Sequence, residues 1–154
     1  MKINVKWYKP IEMREDIKRD VEYLVNLDKI PDDKSGCYLF YNRHGKSISV
    51  LYIGQALRLR NRIEQQLDSV RLMKGIKKTI TGHKWIMYCI VETQQGQRMS
   101  KVLDLLEKNL IKRAVSEGHD LLNLQGSKIP YNEIHFNGNR ISEKIFGRKM
   151  NIEK

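Results

Sequence analysis

The sequence predicts an α+β domain: a small antiparallel sheet of about three strands flanked by helices, with a strand–helix extension before it and a short hairpin after it. Three observations lead there. Two strand-like runs, CYLFY at 37–41 and SISVLYI at 47–53, are joined by Asn42–Lys46, which contains Gly45, and that is the pattern of a hairpin. Helical periodicity at 56–73 and 100–117 brackets a third apolar run, WIMYCIVE at 85–92. The length of 154 residues suffices for one core and is short for two.

The elements follow in order. Residues 3–8 alternate apolar and polar, a short strand that Pro10 ends. From 11 to 27, Ile17, Val21, Leu24 and Val25 recur at helical spacing among charges, which predicts an amphipathic helix. PDDKSG at 31–36 is loop by composition. Gly54 is expected to stop the second strand. Leu59, Ile63, Leu67 and Val70 then form one stripe of a helix over 56–73, followed by a basic loop from 74 to 84. The turn TQQGQ leads into the second long helix, with Ser100 as N-cap and Gly118 as C-cap. Near the end, Asn137–Gly138 between 133–136 and 139–145 has the signature of a short hairpin. These elements divide the chain into an N-terminal extension (1–31), a central domain (32–125) and a C-terminal extension with the hairpin and a basic tail (126–154).

Charge narrows the partner. Twenty-nine Lys+Arg against 18 Asp+Glu leave a net charge of +11, which favours a polyanion such as nucleic acid. The excess is concentrated: residues 58–84 hold Arg58, Arg60, Arg62, Arg71, Lys74, Lys77, Lys78 and Lys84 against only Glu64 and Asp68. Two cysteines, Cys37 and Cys89, sit in apolar runs and are expected as reduced core thiols. No run approaches the length of a membrane span, and Lys6 and Lys9 interrupt the N-terminus before any signal-like apolar stretch. The expectation is a soluble, intracellular protein, cytoplasmic or nucleoid-associated, with no membrane partner.

One carboxylate stands where a leucine belongs. On the helix from Ser100, the residues Leu103, Leu106, Leu110, Ile111 and Ala114 define the apolar stripe, and Glu107 falls within it. A charge in a core face is costly unless it is paired or binds a metal, so Glu107 is either a functional acid or half of an ion pair. Arg62 lies at the flank of the Leu59–Ile63–Leu67 stripe, where a guanidinium can point into a groove and match a phosphate. His44, His83, His119 and His135 show no metal-ligand spacing and are taken as structural or solvent-facing.

With these residues in view, the chain resembles the GIY-YIG nuclease family. Gly36-Cys37-Tyr38 and Tyr52-Ile53-Gly54, one on each strand of a hairpin, look like its paired signature. Arg62 stands ten residues after the second tyrosine, Glu107 lies on a later helix in the context LLEKNLIK, and Asn123 follows that helix. Five positions in the right order, each in the predicted element, make the match specific. It covers about Gly36 to Asn123. Three positions depart from the usual pattern: Cys37 replaces isoleucine or valine, Gln55 stands where some members have lysine, and Gln66 where others have histidine or tyrosine.

The resemblance implies a metal-dependent endonuclease for DNA phosphodiester bonds, in repair or on a mobile element. Glu107 would hold a single Mg²⁺ or Mn²⁺, hard ions that prefer oxygen. Arg62 would clamp the phosphorane. Of Tyr38 and Tyr52, one would serve as base, with Tyr38 preferred, and the other would orient it. Asn123 would fix the loop beside Glu107 or bond a tyrosine. Arg58, Arg60, Lys74, Lys77 and Lys78 would contact DNA on either side of the cut bond, and the basic tail with Arg148 and Lys149 would add nonspecific contacts. Two other readings stay open: a noncatalytic nucleic-acid-binding module, and a subunit of a repair or recombination complex that meets a protein partner through the 11–27 helix.

Overall fold

A computed structural model of the chain describes residues 1–16, 23–124 and 131–153. Its main sheet is antiparallel and has strands β1 (Asn4–Trp7), β2 (Ile11–Met13), β3 (Gly36–His44), β4 (Ser47–Ala56) and β5 (His83–Glu92). The order is β1-β5-β3-β4, with β2 also on β5. The helices are α1 (Leu59–Leu67), α2 (Val70–Lys77), α3 (Met99–Ser116) and α4 (Arg140–Phe146), with 3-10 turns at Leu27–Lys29 and Leu122–Leu124. Strands β6 (Tyr131–His135) and β7 (Lys149–Glu153) form a separate two-stranded sheet. No helix among the described residues is long and apolar enough to cross a membrane.

Strand alternation splits the core into two layers. Tyr38, Phe40 and Tyr52 join Leu59 and Ile63 of α1 and Met73 and Ile76 of α2. On the other face, Cys37 and Cys89 pack with Val102 and Leu103 of α3, and Leu39, Ile53, Ala114 and Leu121 extend that layer. Both cysteines are buried and free of disulfide. Each fully buried aliphatic, such as Leu59 or Ile63, stabilises this arrangement by about 1.5–3 kcal/mol.

Several elements differ from the sequence expectation. In place of a helix beginning at Ile11, the chain continues past Pro10 as β2 on β5, and Arg14 bridges Leu24 in extended conformation. Proline lacks an N–H and is tolerated here because this is the sheet's outer edge. Residues 17–22 of that expected helix lie outside the described residues.

The strand after Tyr52 runs through Gly54 to Ala56. The single helix over 56–73 is two. Asp68 ends α1, and the Ser69 side chain accepts a hydrogen bond from the Leu72 N–H (3.3 Å) to cap α2. Val70, which seemed to continue the stripe, is 63% exposed. Helix α3 starts at Met99 with Arg98 in the N-cap position and no side-chain cap, so Ser100 lies inside it. In the C-terminal part Asn137–Gly138 does not close a hairpin. Asn139 instead accepts from the N–H groups of Ile141 and Ser142 (both 3.0 Å) and starts α4, which separates the paired strands β6 and β7.

The C-terminal end of α3 determines what meets β4. Gly118 adopts φ +88°, its N–H reaches the Val115 carbonyl and the His119 N–H reaches the Ala114 carbonyl (both 3.0 Å). This is the left-handed glycine cap of the Schellman type, and it turns 119–124 back along the free edge of β4. There His119 Nδ1 accepts from the Val50 N–H (3.1 Å), while Asn123 accepts from the Ile53 N–H (3.0 Å) and donates to the Ile53 carbonyl (2.6 Å). Residues 50 and 53 are an odd number apart and would normally face opposite ways. The register shifts between Phe40 and Tyr41, which pair with Tyr52 and Val50 and leave Leu51 as an extra residue in β4. That bulge brings both N–H groups to the outer edge.

Candidate active site

The two tyrosines come from the two strands of the β3–β4 hairpin. Their rings stack at a centroid distance of 6.3 Å and an interplanar angle of 26°. One amide joins them: Gln66 Nε2, on α1, donates to the Tyr38 hydroxyl (3.1 Å) and the Tyr52 hydroxyl (3.3 Å). Both phenol oxygens therefore accept from Gln66, and each keeps its own O–H for another partner. Their surroundings differ. Tyr38 is 1% exposed, and burial followed by the neighbouring Tyr52 pushes its pKa up to about 12, against the opposing influence of the Gln66 bond and the Arg62 guanidinium. Tyr52 is half-buried and lines a groove of about 580 Å³.

Glu107 approaches from the other side of the sheet on α3. It is half-buried, and its pKa is raised by desolvation and by Asp104, while the hydrogen bond from Gln55 and the charge of Arg62 lower it. Gln55 Nε2 donates to both Asp104 Oδ1 (2.5 Å) and Glu107 Oε2 (3.0 Å), so the two carboxylates converge on one electropositive group. Arg62 is exposed on α1, donates to Gln65 Oε1 (3.2 Å), and lies near enough to act on both Tyr38 and Glu107. Tyr38 and Tyr52 thus share Gln66 on the α1 face of the sheet, Glu107 meets Gln55 on the α3 face, and the charge of Arg62 acts on both Tyr38 and Glu107. Asn123 bonds no tyrosine; it docks on the backbone of Ile53.

The expected DNA contacts separate. Lys74 and Lys78 line the Tyr52 groove together with Arg71, Ser69 and Gln66. Arg60 donates from Nε to the Ile30 carbonyl (2.6 Å), Arg58 stands exposed at the N-cap of α1, and Lys77 faces a different cavity beside Glu12 and Glu15. Lys84 belongs to β5, where it is buried and donates to Asn42 Oδ1 (2.6 Å) and the Ile80 carbonyl (2.7 Å). Burial lowers its pKa. It pins the loop after α2. Arg71, absent from the expected contact set, lines the same groove. Once α2 is known to start at Ser69, Arg71, Lys74 and Lys78 fall at i, i+3 and i+7 on one face.

Comparison with known proteins gives the family. The sequence profile of the UvrC-like GIY-YIG domain matches residues 34–116. The chain belongs to the UvrC-like GIY-YIG family. It is 34% identical over 99 residues to the UvrABC system protein C of Mycoplasma mycoides subsp. mycoides, covering 63% of this chain and 15% of that protein. It is 29% identical over 119 residues to the UvrABC system protein C of Finegoldia magna, covering 77% of this chain and 17% of that one. The chain therefore spans less than a fifth of the length of these relatives. No solved structure matches it.

The GIY-YIG signature has a physical basis in this chain. A Cβ on Gly36 would fall onto the Cys89 carbonyl, and one on Gly54 onto the hydroxyl end of the Tyr38 ring. Both glycines thus permit close approaches, the second by letting Tyr38 lie across β4 beside Tyr52. Cys37, the unusual middle residue of the first triplet, is fully buried against Cys89, Val102 and Leu103 and serves as a small apolar side chain. The GIY-YIG glutamate meets Gln55, and the tyrosine pair meets Gln66, so both departures are built into the site. Asn123 lies beyond the matched residues, although its contact with Ile53 ties it to the second triplet.

Proposed function

We propose that this chain is a metal-dependent endonuclease hydrolysing DNA phosphodiester bonds and serving DNA repair, a reading supported by its likeness to UvrABC system protein C. The observation that carries the reading is the gathering of two phenols under one amide at the wall of a cationic groove, with Arg62 acting on both Tyr38 and Glu107. The catalytic unit is assigned to 32–125, with β1 and β2 as added strands on its β5 edge. The relatives' designation as one component of a UvrABC system supports further proteins as partners.

Tyr52 is the better base, because it lines the groove while Tyr38 is buried. In its phenolate form, its own proton having passed to solvent in the groove, Tyr52 accepts a proton from the water as that water attacks phosphorus, and is left as the neutral phenol. Tyr38 and Gln66 hold Tyr52 in place. Arg62 offers a planar, permanently charged fork to the non-bridging oxygens as charge accumulates on them. Arg71, Lys74 and Lys78 hold the flanking phosphates in register with the reacting one.

The acid side fits a hard divalent cation: Glu107 and Asp104 already converge on a single N–H donor, and every ligand on offer is oxygen. Glu107 would hold Mg²⁺ or Mn²⁺, with Asp104 beside it. When bound, the ion supplies charge neutralisation at the phosphate and the leaving 3′-oxygen.

The test is cleavage of supercoiled plasmid and of labelled oligonucleotides in Mg²⁺, in Mn²⁺ and in EDTA. Cutting is expected only with metal. Glu107→Gln and Arg62→Ala are each expected to reduce it by a factor on the order of 10²–10³, with circular dichroism unchanged. Undiminished cutting by Glu107→Gln would end the metal assignment. Tight, salt-sensitive binding without cleavage under any metal would instead favour the noncatalytic module, a reading motivated by the direct Gln55–Glu107 hydrogen bond.

A further inference from the structure

The catalytic groove does not end at Lys78. On the far side of the ridge formed by Gly75 and Leu122 opens a larger cavity of about 690 Å³, and Gly75, Lys78 and Leu122 belong to the walls of both. Its chemistry differs from that of the groove. Val50, Leu51 and Leu122 make an apolar floor, Ile80 stands at the rim 55% exposed, and the polar groups are Ser49, Thr79, His119 and Asp120 besides Lys78.

We propose that this cavity receives an unstacked nucleobase of the strand whose phosphates follow Arg71, Lys74 and Lys78. The inference rests on the reading of the Tyr52 groove as a nucleic-acid contact. Three features point to a base and away from a further phosphate. First, the Asp120 carboxylate would repel a phosphate, but it can accept from the ring or exocyclic N–H of a base. Second, His119 Nδ1 is committed to the Val50 N–H (3.1 Å), so the neutral ring carries its proton on Nε2. The cavity therefore offers a donor as well as an acceptor. Third, an apolar floor contributes nothing to phosphate binding, whereas a base gains from contact with apolar and aromatic surface on its π-face. A concave site of this size, with an apolar part and several polar groups, can take a flat heterocycle. Lys78, shared by groove and cavity, would hold the phosphate of the nucleotide that turns in. The strand would then be single or locally unpaired beside the cut bond, because a base within a stacked duplex cannot enter.

The experiment is an abasic scan in EDTA, so that nothing is cut. Fluorescently labelled single-stranded oligonucleotides, each with one abasic spacer at a different position, are titrated with the full chain at low salt. One position is expected to weaken binding by about five- to tenfold while the others stay near the unmodified strand. Asp120→Ala and Ile80→Ser, two exposed positions outside the proposed catalytic groups, are each expected to abolish that position's penalty. A 2-aminopurine at the same position should change its fluorescence on binding, and a free deoxynucleoside monophosphate, lacking the phosphate track, should compete poorly. A flat scan, a penalty unchanged in both variants, or no binding of any oligonucleotide would overturn the proposal. The nuclease reading fails separately: a position-dependent penalty in a protein that never cuts leaves the pocket standing, and cutting with a flat scan removes only the pocket.

Discussion

Replacing Gln66 by leucine removes the amide that joins the two phenols while keeping a side chain of similar volume. Two hydrogen bonds are lost, of 3.1 and 3.3 Å, each with a net value of about 1 kcal/mol. The losses are unequal. Tyr52 is half-buried and can turn to water, whereas Tyr38, 1% exposed, must bear a desolvation cost of roughly 1–3 kcal/mol for an unmatched oxygen. Together these give a destabilisation of about 2 kcal/mol, which in a chain of this size lowers Tm by roughly 4–8 °C. The Gln66 bond also holds the Tyr38 pKa down against burial and Tyr52, so its loss should move that pKa further up. Thermal melts and an ultraviolet titration of the phenols, compared between Gln66→Leu and the parent, measure both effects. An unchanged Tm, or a Tyr38 that titrates at the same or lower pH, would show that Gln66 does not hold the pair.

Three other outcomes follow from described contacts. Tyr38 titrates near pH 12 in the folded protein and near pH 10 when unfolded, so its contribution of about 3 kcal/mol is full below pH 10 and lost as pH rises from there through 12. Urea melts at pH 9 and pH 11 should show this fall, and Tyr38→Phe should flatten it. Removing Arg71, Lys74 and Lys78 together should reduce the dependence of log K on log salt by about 3, whereas Arg60→Ala and Lys77→Ala should leave that slope alone. Equal effects from the two sets would contradict the groove assignment. Asn123→Ala takes both side-chain partners from Ile53 and should cost about 2 kcal/mol, with faster hydrogen exchange of the Ile53 amide; a slow amide in the variant would refute the docking role.

The two triplets and the downstream Arg, Glu and Asn were legible because each occupies a position fixed by order along the chain. The hairpin was legible because alternation and Gly45 specify it locally. What was not legible arose from competition between local signals and long-range pairing. Residues 11–14 lie in a stretch with helical spacing, yet β5 had an open edge, and backbone pairing there decided the outcome. Val70 fitted a periodic stripe, but the Ser69 cap broke the helix and turned the stripe to solvent. Asn137–Gly138 signalled a turn, and the cap two residues on started a helix instead. The basic residues looked like one patch because charge was counted along the sequence; Arg60, Lys77 and Lys84 separate from Arg71, Lys74 and Lys78 only once each helix and strand face is known.

The supernumerary Leu51 has a consequence for engineering and for evolution of this chain. It works as a phase shifter, and removing that one residue should swing the Val50 amide inward and leave His119 with nothing to grip. It also sets Leu51 beside Tyr52 in the layer under α1 and α2, so the excision would rotate upstream β4 side chains relative to the tyrosine they support. Length in β4 is therefore as tightly constrained as any side chain in the site, and sequences that trim or extend this strand by a single residue should lose activity even with every signature residue intact.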